Sequence, residues 1–155
     1  MSNKKLLQAA AGTAAAGGGS LYAEDVFSTW LYDGTGNTSY NSGDGSSATN
    51  IVNGIDLSGE GGMVWTKSRT YDSRHSIVDT ERGAAEMLSA SETGPSATTT
   101  DCTLAFNSDG YTLGLDNGFQ RVNLKYPNTY ASWSFRKAEK FFDIQTWTGT
   151  GASSR

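Results

Sequence analysis

Through most of this chain the apolar residues come in short runs between turn residues, at the spacing of strands rather than helices. Tyr22–Tyr32 is the first strand expected, carrying Val26, Phe27, Trp30 and Leu31, and Asp33–Asn37 breaks it. A long polar loop runs to about Thr49, and Asn50–Leu57 is a short apolar run with a break at Gly54. Gly61–Arg69 alternates cleanly: Met63, Trp65 and Lys67 point one way, Val64, Thr66 and Ser68 the other. His75–Asp79 is a short strand, and Thr80–Leu88 fits either a helical turn or a loop and strand. Gly94–Asp101 reads as a loop.

The second half is punctuated more sharply. Asn107–Gly110 forms a turn and Tyr111–Leu115 a strand. Asn117-Gly118 supplies the two positive-φ positions of a tight hairpin, so Phe119–Tyr126 is expected to return antiparallel. Tyr130–Lys137 places Ala131, Trp133 and Phe135 on one face, and Phe141–Thr148 is expected as the last strand. Strands at this spacing predict an all-β fold, an antiparallel β-sandwich of jelly-roll, concanavalin-like type. Its expected core holds Trp65, Trp133, Phe135, Ile77, Leu113, Val122 and Phe142.

The first nineteen residues break the strand pattern. Met1–Gly19 is Ala-rich and ends in three glycines, reading as a short helical or extended arm. Leu6, Leu7, Ala10, Ala11 and Ala14 share one helical face, too thin a stripe to be stable alone in water. A partner that covers the stripe gives it a use, so Lys4, Lys5, Leu6, Leu7, Ala10 and Ala11 are the candidate docking residues. The segment is a poor secretory signal, because Gln8, Gly12 and Thr13 interrupt its apolar run. The expected division is an arm over 1–20, a sandwich over 21–140, and the start of a following module or linker over 141–155.

Composition narrows the classes of partner. The formal net charge of −4 argues against nucleic acid and an anionic membrane surface. No stretch is apolar enough, for long enough, to span a bilayer as a helix. One cysteine, Cys102, excludes an intrachain disulfide and reads as a packing thiol. A single histidine, His75, excludes a two-histidine metal site, and no nucleophile-elbow motif accompanies it. Asp56, Glu60, Asp79, Glu81 and Glu86 offer carboxylates without a spacing that marks a glycosidase pair. Asp33, Asp44, Asp109 and Asp116 sit beside turn residues and read as turn aspartates rather than calcium ligands. No catalytic residue, metal or cofactor is expected. For sugar stacking, the candidates are rings at strand ends: Trp30, Tyr32 and Trp147. Lys67, Arg69, Asp79, Glu81, Arg82, Arg136 and Lys137 read as a strand-edge charge network.

Several separated blocks carry a resemblance. The opening SNKKLLQAAAG, VFSTWLY, NGIDLSGEGGMVWTKSR, DTERGA, FNSDGYTL and YASWSFRKAEKFFDIQTWTGTG resemble a domain of cyanophage-type marine tailed-phage virion proteins. The resemblance covers nearly the whole chain, apart from the polar loop near Ser39–Ser47. It implies a tail-fibre-like structural protein with a lectin-like sandwich, located in the virion tail or an appendage and made in the host cytoplasm. It implies other virion proteins as partners (tail tube, adaptor or portal-proximal), a homotrimer, and anchoring through the N-terminus. It brings no catalytic residues. In longer relatives the last block leads into further modules, which fits an internal echo: Trp30–Gly36 (WLYDGTG) is matched by Gln145–Gly151 (QTWTGTG). Host-glycan binding and capsid decoration are the alternatives.

Overall fold

The computed structural model describes residues 21–39, 42–45, 48–116, 122–125 and 127–151. The candidate docking residues Lys4, Lys5, Leu6, Leu7, Ala10 and Ala11 and the Asn117-Gly118 turn lie outside the described residues.

Two antiparallel sheets pack as a sandwich. A single helical turn, α1 (Ala23–Val26), precedes β1 (Phe27–Asp33). Then come β2 (Thr49–Val52), β3 (Gly62–Ser68), β4 (Ser76–Asp79) and β5 (Gly83–Ser89). They are followed by β6 (Ala97–Thr98), β7 (Thr103–Asn107), β8 (Gly110–Leu113) and β9 (Thr129–Arg136). The larger sheet runs β1-β9-β3-β4-β5-β6 and the smaller β2-β8-β7. The first strand thus starts later than its apolar pattern suggests: Tyr22 opens a helical turn, with Asp25 accepting a bond from the Tyr22 N–H at 3.1 Å.

The turn at Asn107–Gly110 forms the β7–β8 hairpin as expected. Gly110 sits at φ 152°, and a Cβ there would lie 1.8 Å from the Ile51 carbonyl oxygen on β2. Only glycine lets β2 and β8 close to bonding distance at this end.

Two strand expectations and one turn residue need correction. Residues 122–125 form no return strand. Instead, the Val122 and Asn123 amides donate to the Asp116 carboxylate, while Asn123 O and Asn37 O accept from Gly36 N and Lys125 N, at 2.8 and 2.9 Å. Gly34 and Gly36 permit this crossing, because a Cβ at either would meet a backbone oxygen, Leu124 or Leu115, within 2.3 Å. The stretch 141–148 is likewise not a strand; it holds one isolated bridge, Ala138 with Phe142. Asp116, grouped above with the turn aspartates, is fully buried at φ 56°, tying Cys102, Asn123 and the 34–37 segment together.

The largest correction concerns which face is inside. The buried set includes Ile51, Ile55, Leu57, Tyr111, Leu113 and Val122, so Leu113 and Val122 lie where expected. Trp65, Trp133, Phe135, Ile77 and Phe142 do not; all are only half-buried. On β3, Gly62, Val64, Thr66 and Ser68 are buried, while Met63, Trp65 and Lys67 alternate outward. On β9, Tyr130, Ser132 and Ser134 are buried, while Trp133 and Phe135 face away. Small hydroxyl residues line this part of the interior because Tyr32, Tyr111 and Tyr130 fill it. The Tyr111 hydroxyl donates to Ser132 Oγ at 2.7 Å, and Tyr32 stacks on Tyr130 with centroids 5.1 Å apart. Burial pushes the Tyr111 phenol up to about 12, and raises Tyr32 well above the ordinary tyrosine range.

Candidate docking face

An antiparallel sheet commonly turns its polar side to water. This six-stranded sheet carries apolar residues on both faces: Val64, Val78, Met87 and Tyr130 are buried inside, and half-buried aromatic residues stand on the outside. Its outer surface carries cross-strand rows set by the ladder register. In one, Phe27, Phe135 and Met63 are neighbours; in the next, Thr29, Trp133, Trp65, Ile77 and Leu88. Ring contacts connect them. Trp65 and Trp133 have centroids 5.4 Å apart at 52°, and Phe27 and Phe135 lie 5.0 Å apart. Such pairs add about 0.5–1.5 kcal/mol beyond burial. Leu31 extends the surface at the β1 side and is 59% exposed.

Polar groups mark its margin. Trp65 Nε1 donates to His75 Nδ1 at 3.3 Å, with the two rings 5.8 Å apart. Lys67 Nζ donates to the carbonyls of Ser68 and Tyr71 at 2.9 and 3.4 Å. At the opposite end the chain after β9 folds back, and Phe142 lies 5.4 Å from Phe135. Lys137 holds that fold-back, reaching Glu81 at 2.6 Å and Asp143 at 3.5 Å. Its carboxylate neighbours raise the Lys137 pKa; hydrogen bonds, chiefly from Gln145, lower that of Asp143. A groove of about 670 Å³ opens beside this segment, lined by Glu60, Lys140 and Phe141 among others.

The sequence-predicted sugar contacts do not converge with this face. Trp30 and Tyr32 alternate to the other side of β1. Trp30 is 40% exposed, at the edge of the sandwich. The hydroxyl of Tyr32 donates to Val122 O at 2.6 Å and its ring is stacked, so it is committed to the fold. Trp147 is 85% exposed on the irregular C-terminal stretch.

The charged residues are mostly absorbed locally. Asp79 accepts from the Arg82 guanidinium and from the backbone amides of Glu81 and Arg82, at 3.1 and 2.9 Å. Glu86 accepts from Thr98 at 2.6 Å across β5 and β6. Asp56 accepts from the Gly59 amide at 2.8 Å in its own turn. Asp44 accepts from the Thr38 amide at 2.9 Å and from the hydroxyls of Thr38 and Ser42, which hold its pKa well below the usual carboxylate range. Among the described residues no three His, Cys, Asp or Glu side chains come together as a metal site. Among them, too, no helix is long and apolar enough to cross a membrane.

Residues 24–155 match the family described as "Domain of unknown function (DUF7483)". The chain belongs to the DUF7483 family. The match takes in β1 to β9 and the C-terminal stretch, and begins at residue 24. No curated protein and no solved structure matches the chain. The outer aromatic surface of this DUF7483 domain is what residue-by-residue reading missed. The signal was present in β3 and β9: in each, aromatic residues alternate with Ser, Thr or Val, and the smaller set is the one that fits beneath packed tyrosines.

Proposed function

We propose that this chain is a structural component of a tailed-phage virion, an adaptor that docks to neighbouring virion proteins and does no catalysis. The observation that carries the reading is the aromatic outer face of the large sheet. Contiguous apolar surface with a polar margin marks a protein-binding site more often than idle surface. A rigid sandwich presents such a face without reorganisation, which keeps the entropic cost of docking low. The blocks quoted above supply the virion context. The arm residues Lys4, Lys5, Leu6, Leu7, Ala10 and Ala11 are assigned the anchoring contact.

The test is incorporation into particles. Tagged wild-type chain, a Met1–Gly18 deletion and the double variant W65S/W133S are expressed in infected cells, and copy number is measured in purified virions. Wild type is expected at full occupancy, with both variants depleted at least tenfold. Normal copy number for both variants overturns the reading.

A second reading, host-glycan binding, draws on the Trp65–Trp133 pair with Thr29, Lys67 and His75 near it, together with exposed Trp30 and Trp147. A ring face beside polar groups suits sugar stacking. A glycan array probed with the full chain separates the two: binding abolished by W65S/W133S favours the glycan, and silence favours the adaptor.

A further inference from the structure

Among the described residues β1 has a neighbour on one side only, and its free edge stands apart from the other sheet edges. A strand edge presents unpaired N–H and C=O groups, which folded proteins normally blunt with short strands, bulges, lysines or prolines. At the far edge of the large sheet, β6 is only two residues long. In the small sheet, β7 is interrupted by a register shift between Thr103 and Ala105, and β2 has four residues. By contrast, β1 pairs with β9 through seven consecutive residues without a shift. It contains no proline or lysine, and its one charge, Asp33, is at its end.

Ladder phase fixes which groups point outward. The Gly34 amide bonds to Asn128 O at 3.0 Å, continuing the β1–β9 register by one residue. In an antiparallel pair, hydrogen-bonded positions alternate. Ser28, Trp30 and Tyr32 therefore bond to β9, while the backbone groups of Thr29, Leu31 and Asp33 point to the free edge. The Phe27 amide is taken by Ala23 O. The helical turn α1 packs against β9 and β1, and Val26 is buried there. Three large apolar residues on this one strand remain exposed: Phe27 at 36%, Trp30 at 40% and Leu31 at 59%.

We infer that β1 pairs with β1 of a second copy of this chain, antiparallel about a two-fold axis at Trp30, joining the two large sheets into one. The strand is self-complementary in this register. Thr29 lies opposite the counterpart of Leu31, and their outward N–H and C=O groups form the central hydrogen bonds. Trp30 meets its own counterpart at a non-hydrogen-bonded position, where Cβ atoms approach to about 4.5–5.5 Å. Asp33 lies opposite the counterpart of Phe27, so the two copies' Asp33 carboxylates sit at opposite ends. A parallel pairing of two copies would bring those carboxylates together. The inference stands on the edge strand alone, so it survives if the virion reading fails.

The test is the mass of the full chain in solution, by sedimentation velocity at micromolar concentration. Twice the chain mass of 16.4 kDa is expected. Two variants probe the edge: T29P removes an amide that faces away from β9, and L31K places a charge on the exposed strand. Both are expected to be monomers with wild-type circular dichroism. A second measurement probes the register. In W30C the paired thiols fall within disulfide range, since Cα atoms at such a position are about 4.5 Å apart. The native Cys102 is fully buried, so the new thiol is the accessible one. A disulfide-linked dimer on mild oxidation is expected. A monomeric or trimeric wild type, a dimer that persists in folded L31K, or no cross-link in W30C overturns the inference.

Discussion

Trp65 and Trp133 stand directly opposite each other on adjacent strands, their rings 5.4 Å apart on the outside of the sandwich. One residue further along the same ladder, Thr66 and Ser132 are opposed on the inside. The bulky pair faces outward and the small hydroxyl pair inward. The interior opposite Thr66 and Ser132 is filled by Tyr111, which leaves no room for an indole.

That arrangement sets an unusual order of mutational cost. Trp133→Thr leaves the interior untouched and gives up the ring pair and part of its burial, at about 1–2 kcal/mol. Leu113→Ala, in the fully buried core, is expected to cost about 2–5 kcal/mol. Urea unfolding of both variants checks the order; a costlier Trp133→Thr would place the indole in the true core.

The Tyr111–Ser132 bond is the interior counterpart. Tyr111→Phe leaves the Ser132 hydroxyl without its buried donor and is expected to cost about 1–3 kcal/mol. The double variant with Ser132→Ala should cost less than the sum of the two single changes. A double-mutant cycle measures this coupling, expected at about 0.5–3 kcal/mol.

The same phenol makes stability alkali-sensitive. Its folded pKa, about 12, lies above the unfolded value near 10. Between those values the unfolded chain binds fewer protons than the folded one, so unfolding becomes easier as pH rises. The contribution is full below pH 10 and is lost on rising towards 12; Tyr32 shifts in the same direction. Urea midpoints at pH 8, 10 and 11 should fall progressively, and Tyr111→Phe should flatten the fall.

Gly110→Ala tests the closest backbone approach between strands of the small sheet. A positive φ and the 1.8 Å approach to Ile51 O both oppose a Cβ. The strain alone is worth about 1–3 kcal/mol, and β2 must also move. Thermal melts should show a larger loss for Gly110→Ala than for Gly94→Ala, where a Cβ meets nothing within 4 Å.

Much of this fold was legible as periodicity. The alternation in Gly61–Arg69 and Tyr130–Lys137 is real, and so is the Asn107–Gly110 turn. Alternation divides a strand into two faces without saying which is inside, and here the bulkier face was the one taken for core. The rule that larger apolar residues go inward failed because Tyr32, Tyr111 and Tyr130 already occupy the space. The missed crossing at 34–37 and 122–125 is non-local: its bonds run between segments some ninety residues apart, for example Thr35 N to Asn123 Oδ1, 88 residues away. No local pattern carries that. The candidate face escaped for the same reason as the core, since one inversion decides both.

Hydroxyl-radical footprinting read out by mass spectrometry tests the docking face most directly. Oxidation of Trp65 and Trp133 is compared between the free chain and the chain in intact particles, with Trp147 as an exposed reference. Docking predicts that both indoles oxidise readily in the free chain and are strongly protected in the particle. Equal oxidation in the two states would contradict it.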